Sequence, residues 1–124
     1  MVNEELSNPQ VVLPTAADVE KAAETIDGVV ERTPLQYSPR LSEITGAKVY
    51  LKREDLQGVR SYKIRGAYNV IAQLNEEQRQ AGVVAASAGN HAQGVAYACR
   101  TLGAKGRIYV CLLYTSDAAD DSLR

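Results

Sequence analysis

The spacing of apolar residues divides the chain into helical and extended stretches. Ala16, Val19, Ala22, Ala23 and Ile26 recur at intervals of three and four, which predicts a helix with its apolar side on one face. Thr15 or Asp18 can cap its start, and Asp27-Gly28 ends it near Ile26. Arg32-Thr33-Pro34-Leu35 reads as an extended connector, because the residue before proline avoids helical geometry. Ser38-Pro39 starts a short helix that Gly46 stops. Lys48 to Lys52 alternates around Val49 and Leu51 and reads as a strand. A polar stretch, REDLQGVRS, leads into a helix from about Tyr62 to Leu74, with Ile64, Ala67, Ile71 and Leu74 along one stripe. Asn75 to Gln78 can begin another short helical turn. Val83-Val84-Ala85-Ala86 is an unbroken apolar run between Gly82 and Ser87, the pattern of a buried parallel strand. A tight turn, Ser87 to Asn90, precedes an alanine-rich helix from about His91 to Leu102, closed by Gly103. Arg107 to Val110 reads as a further strand. Strands near 48, 83 and 107 alternating with helices predict an α/β fold with a mainly parallel sheet and flanking helices. There is no internal repeat, and the first dozen residues lack a period and are expected to form a mobile arm.

Composition narrows the function classes. At 124 residues the chain makes one small domain. With 14 basic and 15 acidic residues its net charge is -1, so no general electrostatic attraction to nucleic acid or anionic membrane is expected. Hydrophobic residues at 45% and charged residues at 23% are an ordinary globular mixture. Cys99 and Cys111 are too few for a disulfide framework, and with His91 as the single histidine they make no zinc set. The polar start MVNEELSNPQVVLPT is unlike a signal peptide, and no apolar run approaches the roughly 20 residues of a membrane helix. A cytoplasmic location in a reducing compartment is the simplest expectation. The last segment, CLLYTSDAADDSLR, breaks the pattern and resembles a translated sequencing adapter. The expected boundary therefore places residues 1–110 in the domain and 111–124 in a tail outside it. Without that tail the chain loses three acids and one base, and its charge moves from -1 to +1.

Two segments carry candidate chemistry. In Ser61-Tyr62-Lys63-Ile64-Arg65-Gly66-Ala67 a lysine stands near a helix start, where a cation opposes the helix dipole. That placement suits either a solvated surface lysine or one that must lose its proton to form a Schiff base with a carbonyl. In Ser87-Ala88-Gly89-Asn90-His91-Ala92-Gln93-Gly94 a turn between strand and helix aims backbone N–H groups at one point, a seat for a carboxylate or phosphate. Val95 and Ala96 stand where a P-loop needs Lys and Ser/Thr, and the glycines do not fit the dinucleotide pattern. Gly89 could take a positive φ there. Asn90 can serve as cap or ligand, and His91 as a packed side chain, a cap or a catalyst. Glu54 and Asp55 are adjacent and face apart, so salt bridges with Lys52, Arg53 or Arg65 are their plainer use. Cys99 is expected to be a small buried side chain.

LKREDLQ, SYKIRGA and SAGNHAQGVAYA, in this order and spacing, resemble the threonine dehydratases (threonine ammonia-lyases) of the fold-type-II pyridoxal-phosphate enzymes, over about Leu13 to Val110. The resemblance implies the N-terminal part of a tryptophan-synthase-β-like catalytic domain. It also implies pyridoxal 5'-phosphate held covalently by Lys63, with Asn90 bonded to its ring hydroxyl and Tyr62 packed nearby. Tyr62 stands where Phe is commoner. The backbone of Ser87, Ala88, Gly89, Asn90 and His91 would grip the substrate carboxylate, while Arg65 and Gly66 would support the lysine helix. The implied reaction takes L-threonine to 2-oxobutanoate and ammonia, a step of isoleucine biosynthesis. The implied partners are a small amino-acid substrate and further copies of the parent chain, a homo-oligomer, with no nucleic acid or membrane. Gly58-Val59-Arg60-Ser61 replaces the Pro-Thr-Gly-Ser-like run of cysteine and threonine synthases. Ala88 stands where serine racemases carry the serine that works on the second face. The family's glycine-rich phosphate cup and regulatory domain would lie further along, so the 124-residue chain alone is expected to be inactive. The alternatives are a serine racemase or serine dehydratase of the same superfamily, and a non-catalytic truncated module.

Overall fold

Thr15 opens the first helix, α1 (Ala16–Ile26), through a reciprocal capping box. The Thr15 hydroxyl accepts from the Asp18 N–H at 3.3 Å, and the Asp18 carboxylate accepts from the Thr15 N–H at 2.8 Å. The structure is a computed structural model, and it describes residues 13–111. The expected arm at residues 1–12, and the adapter-like tail from residue 112 onward, lie outside the described residues.

After α1 the chain runs through β1 (Leu35–Tyr37), α2 (Pro39–Thr45), β2 (Tyr50–Lys52), a 3-10 turn (Glu54–Leu56), α3 (Lys63–Ala72), α4 (Glu76–Ala81), β3 (Val83–Ala86), α5 (Asn90–Leu102) and β4 (Gly106–Tyr109). Local signals set most of these boundaries. Ser38-Pro39 starts α2, and Gly46 ends it at φ +68, a left-handed conformation that costs glycine nothing. Asn75 caps α4 with a second capping box, to Gln78. Gly103 closes α5 at φ +65.

The α/β class rests on β3 and β4, which pair in parallel from Val83↔Gly106 to Ala86↔Tyr109, with α5 as the connection between them. The strand expected near Lys48 does not join them. It shortens to Tyr50–Lys52 and pairs antiparallel with β1, which starts at Leu35, the last residue of the stretch that the sequence marks as a connector. Alternation identifies a strand with one wet face, and all six residues of β1 and β2 are exposed. Tyr37 and Tyr50 lie opposite each other there, with ring centroids 5.3 Å apart.

The core lies between α3, α5 and β3. Ala67, Tyr68 and Ile71 from α3 meet Val95, Ala98 and Cys99 from α5, with Ala85 beneath them. Ile26, Val29, Leu74, Val83, Leu102 and Ala104 close its edges. Cys99 is buried, as its helix position implies. Of the apolar run Val83–Ala86, only Ala85 is buried. Val84, one residue before it and so facing the other way, is 68% exposed because nothing among the described residues covers that face.

Candidate active site

Lys63 is the first residue of α3, and Tyr62 occupies the cap position without a side-chain capping bond. The Lys63 Nζ lies 4.8 Å above the Tyr62 ring, a cation–π distance. Among the described residues the ion pairs are Arg53–Asp55 and Arg65–Glu54, so the Lys63 amine belongs to neither. Tyr62 itself is 58% exposed.

Arg65, two residues further on, anchors this turn. Its guanidinium donates to both Glu54 oxygens, Nε to Oε2 at 2.8 Å and Nη2 to Oε1 at 2.7 Å. Nη2 also donates to the Glu31 carbonyl at 3.0 Å. The Thr33 hydroxyl donates to Glu54 Oε1 at 2.5 Å, and Gln57 Nε2 donates to Oε2 at 3.2 Å. Gln57 is 1% exposed and clasps the Glu31 peptide from both sides, accepting its N–H at 3.0 Å and donating to its carbonyl at 2.8 Å. The Arg65 guanidinium, opposed by partial burial and helped by Thr33 and Gln57, holds the Glu54 carboxyl down to about 2. Asp55 turns away to pair with Arg53, so the two adjacent carboxylates serve separate bridges, the use expected of them.

The turn at Ser87 to His91 joins β3 to α5. Ser87 N–H donates to the Tyr109 carbonyl at 3.0 Å, which ties the turn to the end of β4. Gly89 N–H donates to the Ser87 hydroxyl at 3.2 Å. Two expectations change here. Gly89 has φ −128, so no positive φ requires glycine. Asn90 is not a cap: Gly89 holds the cap position and Asn90 is the first helical residue. The start of α5 therefore has no capping side chain and no acid in its first turn. Its N–H groups and positive dipole end remain available to an anion. A Cβ at Gly89 would meet no atom within 4 Å, so the backbone is open to close approach there.

A cavity of about 520 Å³, in the size range of small-molecule sites, lies beside these elements. Tyr62, Lys63 and His91 line it, with Val70, Val84 and Val95 among its apolar walls. It thus brings three of the expected site residues together. Ser87, Ala88, Gly89 and Asn90 are not part of its lining, although Asn90 directly precedes His91 on α5. Gly94, which the sequence offers only as a glycine that fails the P-loop and dinucleotide patterns, makes a close approach instead. A Cβ on it would lie 3.0 Å from the carbonyl carbon and oxygen of Lys63. Its signal was a glycine inside an alanine-rich helix. Thr33 and Gln57, polar residues inside loops, gave no signal of the bridge they complete around Glu54.

These residues fit a group that carries an aldehyde, with room beside it for a substrate carboxylate. Lys63, whose amine is in no ion pair among the described residues, lines an apolar cavity, and an uncapped helix start stands in the next segment of the site. The Ser61 hydroxyl, 7% exposed and two residues before Lys63, has no protein partner among the described residues. A buried hydroxyl in that state calls for one.

The family model described as pyridoxal-phosphate dependent enzyme matches residues 26–116. The chain is 70% identical over 95 residues to the biosynthetic L-threonine dehydratase IlvA of Corynebacterium glutamicum, covering 77% of this chain and 22% of that protein. It is 60% identical over 89 residues to the L-threonine ammonia-lyase of Thermotoga maritima, covering 72% of this chain and 22% of that one. Among solved structures, maize serine racemase superimposes with a TM-score of 0.72 at 37% identity, over 77% of this chain and 30% of that one. The processed form of threonine deaminase isoform 2 from Solanum lycopersicum does so with a TM-score of 0.64 at 38% identity, over 78% and 30%. The chain spans about a fifth of the length of the curated relatives named here.

Proposed function

We infer the function from one premise: the chain belongs to the family of pyridoxal-phosphate dependent enzymes, whose model it matches over residues 26–116. The protein that carries these residues is a lyase that dehydrates and deaminates L-threonine to 2-oxobutanoate and ammonia. The observation that carries this reading is Lys63 in the lining of the same cavity as His91, with its amine outside every described ion pair. Bound there, pyridoxal phosphate supplies an electron sink for charge that develops at the substrate Cα.

The chain's own residues do the rest. Lys63 Nζ would hold the cofactor covalently, and the same amine, when free, would be the base for the substrate Cα proton. Asn90 would hydrogen-bond the cofactor's ring hydroxyl, and the Tyr62 ring would pack beside it. Within the Ser87–His91 turn the N–H groups of Ala88, Asn90 and His91, backed by the α5 dipole, would bind the substrate carboxylate, while those of Ser87 and Gly89 hold the turn itself. Arg65 and Glu54 hold the first turn of α3 so that the amine keeps its bearing. Ala88 has no proton to deliver to the opposite face of Cα, which supports dehydration over racemisation. The identities of 70% and 60% to two threonine-acting lyases support the same choice.

Residues 1–110 then form the N-terminal part of the catalytic domain, and 111–124 lie outside it. Isoleucine biosynthesis, a cytoplasmic location and a homo-oligomeric parent without nucleic-acid or membrane partners belong to the same proposal. A net charge of -1 supports it. So does the finding that no helix among the described residues is long and apolar enough to cross a membrane. The test uses the full-length protein with pyridoxal phosphate and L-threonine or L-serine. 2-Oxobutanoate from threonine, lost with the bound-cofactor absorbance in Lys63→Ala, is the expected result. D-Serine as the main product from L-serine would place the protein with the racemases.

A further inference from the structure

We propose that Gly94 is a positioning residue. It lets α5 press against the Lys63 peptide, and so sets the gap between the lysine amine and the Ser87–His91 turn. This rests on the reading of Lys63 as the cofactor lysine. A side chain at Gly94 has no room. A Cβ would lie 3.0 Å from the Lys63 carbonyl carbon, 3.0 Å from its oxygen and 3.2 Å from the Ile64 nitrogen. Ordinary contact begins near 3.4 Å, and these neighbours are backbone atoms that cannot rotate aside. A methyl group there would move α5 and the first turn of α3 apart by a few tenths of an ångström.

The requirement is local. A Cβ at Gly89, at the start of α5, or at Gly66, on α3, would meet nothing within 4 Å. Glycine inside a helix is less favourable than alanine. Its presence among the alanines of α5 therefore runs against propensity and marks the close approach. Gly94 also lies four residues after Asn90, one turn along the same face of α5. One contact thus fixes two things: where Lys63 starts its helix, and how far the Asn90 turn stands from it. Small errors in such spacing cost large factors in rate.

The experiment compares wild type, Gly94→Ala and Ala96→Gly in the full-length protein. Ala96 is exposed on α5, so its replacement weakens the helix without touching Lys63. Four quantities are read: stability, the rate at which added pyridoxal phosphate bonds to the apo-protein, its pH profile, and kcat and KM for threonine. Gly94→Ala should keep the cofactor on Lys63. Its bonding rate and kcat should fall by about tenfold or more, and the pH profile of bonding should move. Ala96→Gly should lose stability and keep wild-type rates. Bonding and turnover in Gly94→Ala within twofold of wild type would overturn the proposal, as would equal slowing in Ala96→Gly. Should Gly94→Ala fail to fold, Ala98→Ser adds one atom on the same fully buried face a turn later. A smaller slowing of the same step is then required, and an unchanged rate overturns the proposal. Borohydride reduction of the wild type followed by peptide mapping separates the two readings. A label on another lysine defeats the Lys63 assignment itself, and the Gly94 role with it.

Discussion

Replacing Glu54 by glutamine tests whether the polar bridge beside Lys63 holds the first turn of α3. The substitution keeps shape and removes the charge that faces the Arg65 guanidinium. Glu54 titrates at about 2 instead of its ordinary 4.5, chiefly because Arg65 donates to both of its oxygens. At about 1.4 kcal/mol per unit, that shift corresponds to roughly 3 kcal/mol of preference for the charged form in the folded chain. The Arg65 side chain is 32% exposed, so solvent screens the pair and about 2 kcal/mol is the expected loss at pH 7. A carboxyl with a depressed folded pKa stabilises above its unfolded value. The contribution is therefore complete above about pH 5 and fades as pH falls from 4.5 towards 2. Urea denaturation of wild type and Glu54→Gln at pH 7, 4 and 2.5 measures it, with hydrogen exchange of the α3 amides reporting the local opening. The gap should be about 2 kcal/mol at pH 7 and largely closed at pH 2.5. A gap below about 0.5 kcal/mol at pH 7, or one that persists unchanged at pH 2.5, would refute the assignment of the shift to Arg65.

Gly89→Val should raise the threonine KM at least about tenfold while Lys63 still binds the cofactor, because a Cβ there meets nothing within 4 Å and the added bulk goes into the space beside the turn. His91→Ala should keep measurable turnover, and steady-state kinetics with absorbance spectra of both variants decide between a backbone cradle and a catalytic His91. Arg60, at φ +59 in the loop before the lysine turn, is the one described non-glycine residue with positive φ. Arg60→Val should cost about 1–2 kcal/mol and Arg60→Gly should cost nothing, as read by thermal and urea denaturation.

Where a helix, cap or turn depends on neighbours in sequence, the residues themselves decide it. Thr15 and Asn75 close their capping boxes within three residues, and Gly46 and Gly103 end their helices where an αL residue is needed. The apolar run Val83–Ala86 declares a parallel strand, and SYKIRGA and SAGNHAQG mark the two chemical segments by their spacing. Partners distant in sequence were not readable in this way. Alternation in Lys48 to Lys52 identifies a strand but cannot say that it pairs antiparallel with Leu35–Tyr37, since the period of two is the same for either partner. Glu54 had three basic candidates nearby, and only the docking of α3 against the Glu31 connector chose Arg65. Gly94 shows the difference most plainly. In sequence it is a weak spot in a helix, and only the crossing of α5 over the Lys63 peptide turns it into the residue that sets their distance. Local backbone preferences act over a few residues and are written in the chain. Close packing between helices about 30 residues apart exists only once both are folded, because the space left at a glycine belongs to the neighbour that fills it.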